Sequence, residues 1–261
     1  MSHHTHEKPF TDPHSDPITQ LAGKSSFIAD SPEVTRARNA DTPRGIAALG
    51  KALARQLRYR EALDVYNAGL EIWPEDEELL RLRAGRYLTT LQADRAAQEF
   101  GKLLENGADE LDCRYRIGLA QYYRRDYGKA MEQLELCMPL CEDNDEMGIA
   151  VIYWHTLSAL RAAKRPKLLD FYREGMDVGH HIGYEKAMAV CAGKREKEDV
   201  IATLDNGHDP LEYSIALYGI HILGTYGLND GNSLLDEILR HEEFWISFAW
   251  LAAWNDRHRP E

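Results

Sequence analysis

PRGIAALGKALARQLRYREALDVYNAGLEIWPED, residues 43–76, decides how this chain folds. Within it the small residues Gly50 and Ala62 lie twelve positions apart, Tyr66 follows four residues later, and Pro74 closes the stretch. The pattern predicts two helices, residues 44–56 and 60–72, and the second must end before Pro74 because a proline disfavours helical geometry in the residue preceding it. The small side chains indicate that the two helix backbones approach closely at positions 50 and 62.

The same arrangement recurs twice more at a constant interval, without an insertion. The corresponding positions are Gly50, Ala84 and Gly118, then Ala62, Ala96 and Ala130, then Tyr66, Phe100 and Leu134. With Leu49 and Pro74, this succession of leucine-glycine, alanine, aromatic and proline resembles the tetratricopeptide repeat, a unit of about 34 residues. The resemblance implies an all-α fold, a right-handed helical-repeat solenoid of antiparallel helix pairs in which each pair buries its apolar face against the next. No stretch of the chain shows the alternating pattern of a strand, which agrees with this fold class.

The chain divides into three parts by pattern. Residues 1–42 are polar and contain several prolines, so we expect a flexible N-terminal arm. Residues 43–144 hold three regular repeats, with the last helix interrupted at Pro139. Residues 145–261 lose the register and are expected to form irregular helix pairs of similar style, ending in an aromatic-rich helix. The helices predicted there cover residues 149–163, 184–192, 196–204, 211–226, 233–240 and 243–255, and Pro166 is expected to begin another.

The amino-acid composition argues against some classes of binding partner. The chain has 31 Lys and Arg against 43 Asp and Glu, a net charge of −12, which opposes binding to nucleic acid and to anionic membranes. No apolar run approaches the roughly 20 residues needed to cross a bilayer, and the N-terminus lacks the apolar core of a secretion signal. We therefore expect a cytoplasmic protein with a protein or peptide partner and no membrane or nucleic-acid partner.

A ligand groove can be assigned from the resemblance, since the first helix of each repeat lines a concave groove in that family. Stepping along the chain by one repeat length assigns a set of basic and tyrosine side chains to this groove. The predicted site consists of Lys51, Arg55, Arg81, Tyr115, Arg116, Tyr122, Tyr123 and Tyr153. Arginine pairs with carboxylates and tyrosine offers contact area at low entropic cost, so the sequence predicts an acidic peptide as ligand and a scaffold or interaction module as function.

Two alternatives remain open. A metal-dependent enzyme would use His155 with His180 and His181, the best constellation of catalytic residue types in the chain. A structural subunit would instead use its C-terminal face, where the aromatic helix could also form a homodimer contact. The four cysteines do not complete a zinc ligand set, so buried thiols are expected. We expect no enzyme, no catalytic residues, no metal and no cofactor.

Overall fold

The computed structural model describes residues 29–205, 209–225, 233–240 and 247–258. These residues form thirteen α-helices and no strand, which confirms the predicted all-α class. The helices are α1 (Pro32–Ala37), α2 (Pro43–Arg55), α3 (Tyr59–Ile72), α4 (Glu77–Thr89), α5 (Ala93–Glu105), α6 (Glu110–Tyr123), α7 (Tyr127–Cys137), α8 (Asp145–Arg161), α9 (Ile182–Cys191), α10 (Lys197–Asp205), α11 (Pro210–Thr225), α12 (Ser233–Arg240) and α13 (Phe248–His258). Short 3-10 helices cover Met138–Cys141 and Lys167–Phe171.

The chain separates into two compact units, Met1–Arg86 and Tyr87–Glu261, and the division falls within α4. Helices that follow one another pack together in each unit. In the first unit α2 contacts α1 and α3, and in the second α5, α6, α7 and α8 each contact the next. None of the helices in the described part of the chain combines the length and apolarity that a membrane crossing needs.

The small residues of the 34-residue pattern are buried where the sequence predicts. Ala62, Ala96 and Ala130 have no exposed surface, and the residues four positions later, Tyr66, Phe100 and Leu134, are equally buried. A Cβ atom added at Gly50 would lie 2.1 Å from Cε1 of Tyr66, and one at Gly118 would lie 3.0 Å from Cγ of Leu134. The same close approach therefore occurs in both units.

The turn inside each helix pair repeats with the same period. Leu57, Leu91 and Arg125, which hold equivalent positions in the repeating pattern, all adopt left-handed backbone conformations, with φ of 61°, 55° and 64°. At each turn the next residue's N–H donates to a carbonyl five residues earlier, as Arg58 does to Leu53 at 3.0 Å. This is the hydrogen bond of a Schellman helix end. Such turns usually contain glycine. Because these three positions hold leucine or arginine, the sequence did not indicate that they share this geometry.

The described part of the predicted flexible arm differs from that expectation, because residues 32–37 form helix α1. Val34 of this helix is fully buried in the core of the first unit. Asp30 accepts hydrogen bonds from Arg38 and Arg58 at 2.6 Å, and the two guanidinium groups hold the pKa of Asp30 well below its usual range. Residues 1–28 lie outside the described residues.

The helices of the C-terminal half follow the predicted segments closely, with one difference near a proline. Helix α7 ends at Cys137 and a 3-10 helix follows, as the position of Pro139 predicts. After Pro166, however, only the 3-10 helix Lys167–Phe171 forms where a longer α-helix is expected. Cys113, Cys137 and Cys141 are buried free thiols, as the sequence predicts, whereas the free thiol of Cys191 is only partly buried.

The last helix, α13, packs against other helices of its own unit. Trp250, Leu251 and Trp254 are buried, and α13 contacts α6, α11 and α12. The Asn255 side-chain amide donates to the Tyr123 carbonyl at 3.0 Å, and the Tyr123 hydroxyl donates to the Phe248 carbonyl at 3.0 Å. The N-terminal part of the predicted helix, residues 243–246, lies outside the described residues.

Replacing Ala163 with glycine is expected to stabilise the second unit by roughly 0.5 kcal/mol. Ala163 lies two residues beyond the end of helix α8 and has a left-handed φ of 51°. Its side chain is exposed, so glycine relieves the left-handed strain without loss of packing. The free energy of unfolding in urea measures the effect. Ala162→Gly is the matched control, because Ala162 has φ of −85° and gains no such relief. Equal changes in the two variants would contradict the argument.

Candidate functional site

The predicted groove residues divide between the two units. Lys51, Arg55 and Arg81 belong to the first unit, and Arg116 belongs to the second together with the four tyrosines. In the first unit Lys51 and Arg55 line the same cleft, whereas Arg81 is exposed and is not among the residues that line it. The structure places the basic and the aromatic members in different environments.

The cleft of the first unit has a volume of about 740 Å³ and is bordered by α1, α2 and the start of α4. Its lining includes three small side chains, those of Ala37, Ala48 and Ala52. Charged side chains form its walls: Arg36, Arg44, Lys51 and Arg55 with the carboxylates Glu33 and Glu78. We name this site the basic cleft.

Two cations of the basic cleft are neutralised and two are not. Lys51 forms an ion pair with Glu78, and Arg55 forms one with Glu33. The Arg36 guanidinium donates to the backbone carbonyl of Pro32, at 3.1 Å, within its own helix. Within the described residues, neither Arg36 nor Arg44 forms an ion pair with a carboxylate. The cleft therefore has an excess of positive charge in a chain whose net charge is −12.

Arg116 is engaged within the second unit. Its Nε atom donates to Asp112 at 2.6 Å, one helical turn away, and its guanidinium lies 5.7 Å from the centre of the Phe100 ring. The ion pair is about two-thirds buried on both sides. Arg116 is thus held in a local contact, and a ligand would have to compete with Asp112 for it.

The four predicted tyrosines lie in the core of the second unit and not on an open surface. Tyr122, Tyr123 and Tyr153 are at most 3% exposed, and Tyr115 is 7% exposed. Tyr153 donates to the carbonyl of Ile215 at 2.8 Å, and burial raises its pKa well above the usual value. As the structure stands, these side chains stabilise the unit, so they cannot line a groove that is open to a ligand.

The histidines of the alternative enzyme site do not come together as a set of three. His155 is fully buried on α8, with Nε2 3.3 Å from the Glu135 carboxylate. Burial lowers the pKa of His155, and the Glu135 charge offsets only part of this effect. His180 and His181 instead lie beside Glu146, a residue for which the sequence analysis gave no role.

A second cleft, of about 450 Å³, lies in the second unit between the two 3-10 helices and the start of α8. Its apolar lining includes Met138, Leu168, Phe171 and Met176, and carboxylates such as Glu135 stand at its edge. Phe171 is 55% exposed. The cleft has no excess of cations, and none of the predicted site residues lines it.

Comparison with known proteins adds no assignment. No family model matches the chain, and no curated protein matches it in sequence. The function of the basic cleft is therefore inferred from the cleft's own residues.

Proposed function

We propose that this chain is a helical-repeat protein of the tetratricopeptide type that binds an acidic segment of a partner protein in the basic cleft. The proposed activity is the binding of this segment, and no chemical reaction is proposed. The 34-residue pattern, with its buried small residues and its recurring left-handed turns, supports the repeat architecture. The excess of cations in the basic cleft supports the choice of ligand.

The observation that carries the proposal is the pair Arg36 and Arg44, two exposed guanidinium groups on the walls of one cleft that have no carboxylate partner among the described residues. Guanidinium groups bind carboxylates through two parallel hydrogen bonds, which gives geometric specificity as well as attraction. The small alanine side chains in the lining leave space for a peptide backbone. An extended segment with two or more Asp or Glu side chains fits this arrangement.

Such a complex is expected to bind with a Kd of about 1 μM, or roughly −8 kcal/mol. Its affinity should fall as salt rises, because the charges of the cleft are exposed and are screened beyond about 10 Å at 0.1 M salt. Apolar burial in the cleft is small, so we expect charge to account for most of the discrimination between peptides.

Selection from a random peptide library tests the proposal. The full chain is immobilised, and the expected result is enrichment of peptides with clustered Asp and Glu. The enriched peptide is then measured by fluorescence polarisation against Arg36→Glu/Arg44→Glu, which should weaken binding at least tenfold. These two substitutions break no existing ion pair of the described residues, so the melting temperature should change little.

Lys102→Glu/Lys164→Glu is the matched control, because it changes the net charge equally at exposed positions of the second unit. The control should bind the acidic peptide nearly as well as the wild type. If the control and the cleft variant lose affinity equally, the effect comes from overall charge and the basic cleft is not the site. Failure to enrich acidic peptides would reject the proposed ligand class.

A further inference from the structure

Glu146, His180 and His181 bring two imidazoles and a carboxylate together in the second unit. Glu146 lies in the first turn of α8, and the two histidines directly precede α9. One ligand atom of each residue lies within 4.8 Å of those of the other two. We name these three residues the His-Glu cluster.

Contacts with Glu146 hold both imidazole rings. Nδ1 of His181 lies 2.6 Å from the backbone carbonyl of Glu146. A carbonyl oxygen can only accept, so Nδ1 of His181 carries the proton and Nε2 keeps its lone pair. This is the arrangement by which metal-binding histidines are held in one tautomer. Nδ1 of His180 lies 2.5 Å from the Glu146 carboxylate.

The backbone that carries the histidines is attached to the start of α8 by further contacts. Asp145 accepts from the Asp177 N–H at 3.1 Å and from the Arg173 guanidinium at 2.7 Å. Gly179 has φ of 51°, and a Cβ atom there would lie 3.1 Å from the nearer carboxylate oxygen of Glu146. Glycine at this position therefore allows the carboxylate to approach the turn. Asp145 and Gly179 thus hold this turn against the start of α8.

We propose that the His-Glu cluster binds a divalent transition metal ion, with Zn²⁺ as the first candidate. Imidazole nitrogen and carboxylate oxygen are ligands that Zn²⁺ accepts at about 2.0–2.2 Å, whereas Ca²⁺ and Mg²⁺ require sets of oxygen atoms. Two histidines and one glutamate form a three-residue ligand set that leaves one position of a tetrahedral ion for water. The His180 side chain is 75% exposed, so the ion has access from solvent.

Binding requires a rearrangement of these ligand atoms, which lie within 4.8 Å of one another. Ligands of a tetrahedral Zn²⁺ ion lie about 3.3 Å apart, which follows from the metal–ligand distances. The His180–Glu146 contact must therefore open by somewhat less than 1 Å, and the exposed ring of His180 can move by this amount. The bound ion would then join the start of α8 to the segment that precedes α9. Metal binding should consequently raise the melting temperature of the protein.

Titration calorimetry with Zn²⁺ tests this site. All measurements use the full chain with His3, His4, His6 and His14 replaced by alanine, because these N-terminal histidines could also bind Zn²⁺. We expect one ion per chain with a Kd in the micromolar range. His180→Gln and Glu146→Gln should each weaken binding at least tenfold and abolish the rise in melting temperature. The visible absorption of bound Co²⁺ reports the same loss independently.

His258→Ala is the control, since it removes a histidine on α13 that is outside the cluster. It should retain the affinity of the background protein. Because His180 is exposed, His180→Gln is expected to keep the helical circular dichroism spectrum, so a loss of binding cannot be attributed to unfolding. Absence of binding in the background protein would overturn the proposal, as would equal affinity in His180→Gln, Glu146→Gln and the control.

Discussion

Asp256→Ala is expected to reduce the stability of the second unit by about 3–5 kcal/mol, the typical effect of removing one partner from a buried ion pair. The Asp256 carboxylate on α13 pairs with Arg161 on α8, and both side chains are only 10% exposed. The Tyr218 hydroxyl on α11 donates to the same carboxylate at 2.8 Å. Tyr218 in turn contacts the Tyr122 hydroxyl on α6 at 2.9 Å. Four helices therefore meet at one polar network.

Asp236→Ala is the matched control for this substitution. Asp236 pairs with Arg257 at 2.9 Å, also a contact between α13 and another helix, but its two side chains are 47% and 39% exposed. Exposed ion pairs contribute about 0–1 kcal/mol. Urea unfolding followed by tryptophan fluorescence compares the two variants, and similar losses in both would show that burial does not set the strength of the Asp256 contact.

Replacing both members of the buried pair gives a second test. Arg161→Met/Asp256→Leu removes both charges and keeps apolar volume, so it should recover part of the stability that Asp256→Ala loses. The recovery is expected to be incomplete, because Tyr218 still loses its acceptor. A double variant less stable than Asp256→Ala would contradict this explanation and would indicate that the pair itself contributes net stability.

The sequence predicted contacts that are local and periodic. Gly50 and Tyr66 are sixteen residues apart, and their pattern recurs at Gly118 and Leu134, so helix spacing alone was enough to find them. The burial of Val34 next to this pattern was missed. The signals there were a serine N-cap followed by Pro32 at the start of a short helix, and these are weak in a polar segment.

The prediction of the site residues agreed least with the structure for side chains that distant helices cover. Stepping by one repeat length places Tyr122 and Tyr123 on one helix, but it gives no information about what packs against them. In the structure, their partners are Tyr218 and the carbonyl of Phe248, which are 96 and 125 residues away. Neither partner belongs to the regular repeats. Amphipathic tyrosine suits a buried hydrogen-bonded position as well as a ligand surface, so residue type could not decide between them.

For the His-Glu cluster, too, the sequence did not show which distant residues come together. The adjacent histidines were visible in the sequence, but Glu146 lies 35 residues before His181, and no motif connects them. The turn at Gly179 and the contacts of Asp145 and Glu146 bring the two segments together. His155, which looked equally suitable by residue type, is instead buried beside Glu135. Side-chain environment therefore decided which histidines could share a ligand.

Gly50→Ala is expected to destabilise the first unit by about 2 kcal/mol, although alanine is a better helix former than glycine by up to about 1 kcal/mol. The added methyl group would lie 2.1 Å from Cε1 and 2.3 Å from Cζ of the Tyr66 ring, far inside van der Waals contact. Tyr66 is only 1% exposed and packs in the same core as Leu53, Leu70 and Leu79, so its ring has no free space to enter. Overpacking should outweigh the gain in helix propensity.

Gly101→Ala is the matched control, since Gly101 lies within helix α5 and a Cβ atom there would meet no neighbour within 4 Å. It should raise the free energy of unfolding by a few tenths to about 1 kcal/mol. Tyr66→Leu, which imitates the Gly118–Leu134 pair, should remove most of the penalty of Gly50→Ala when the two changes are combined. The expected coupling energy is about 2 kcal/mol, within the range for residues in direct contact. Circular dichroism during urea unfolding measures the wild type and all four variants, and additive effects of the substitutions at positions 50 and 66 would show that the contact between them does not set the helix crossing.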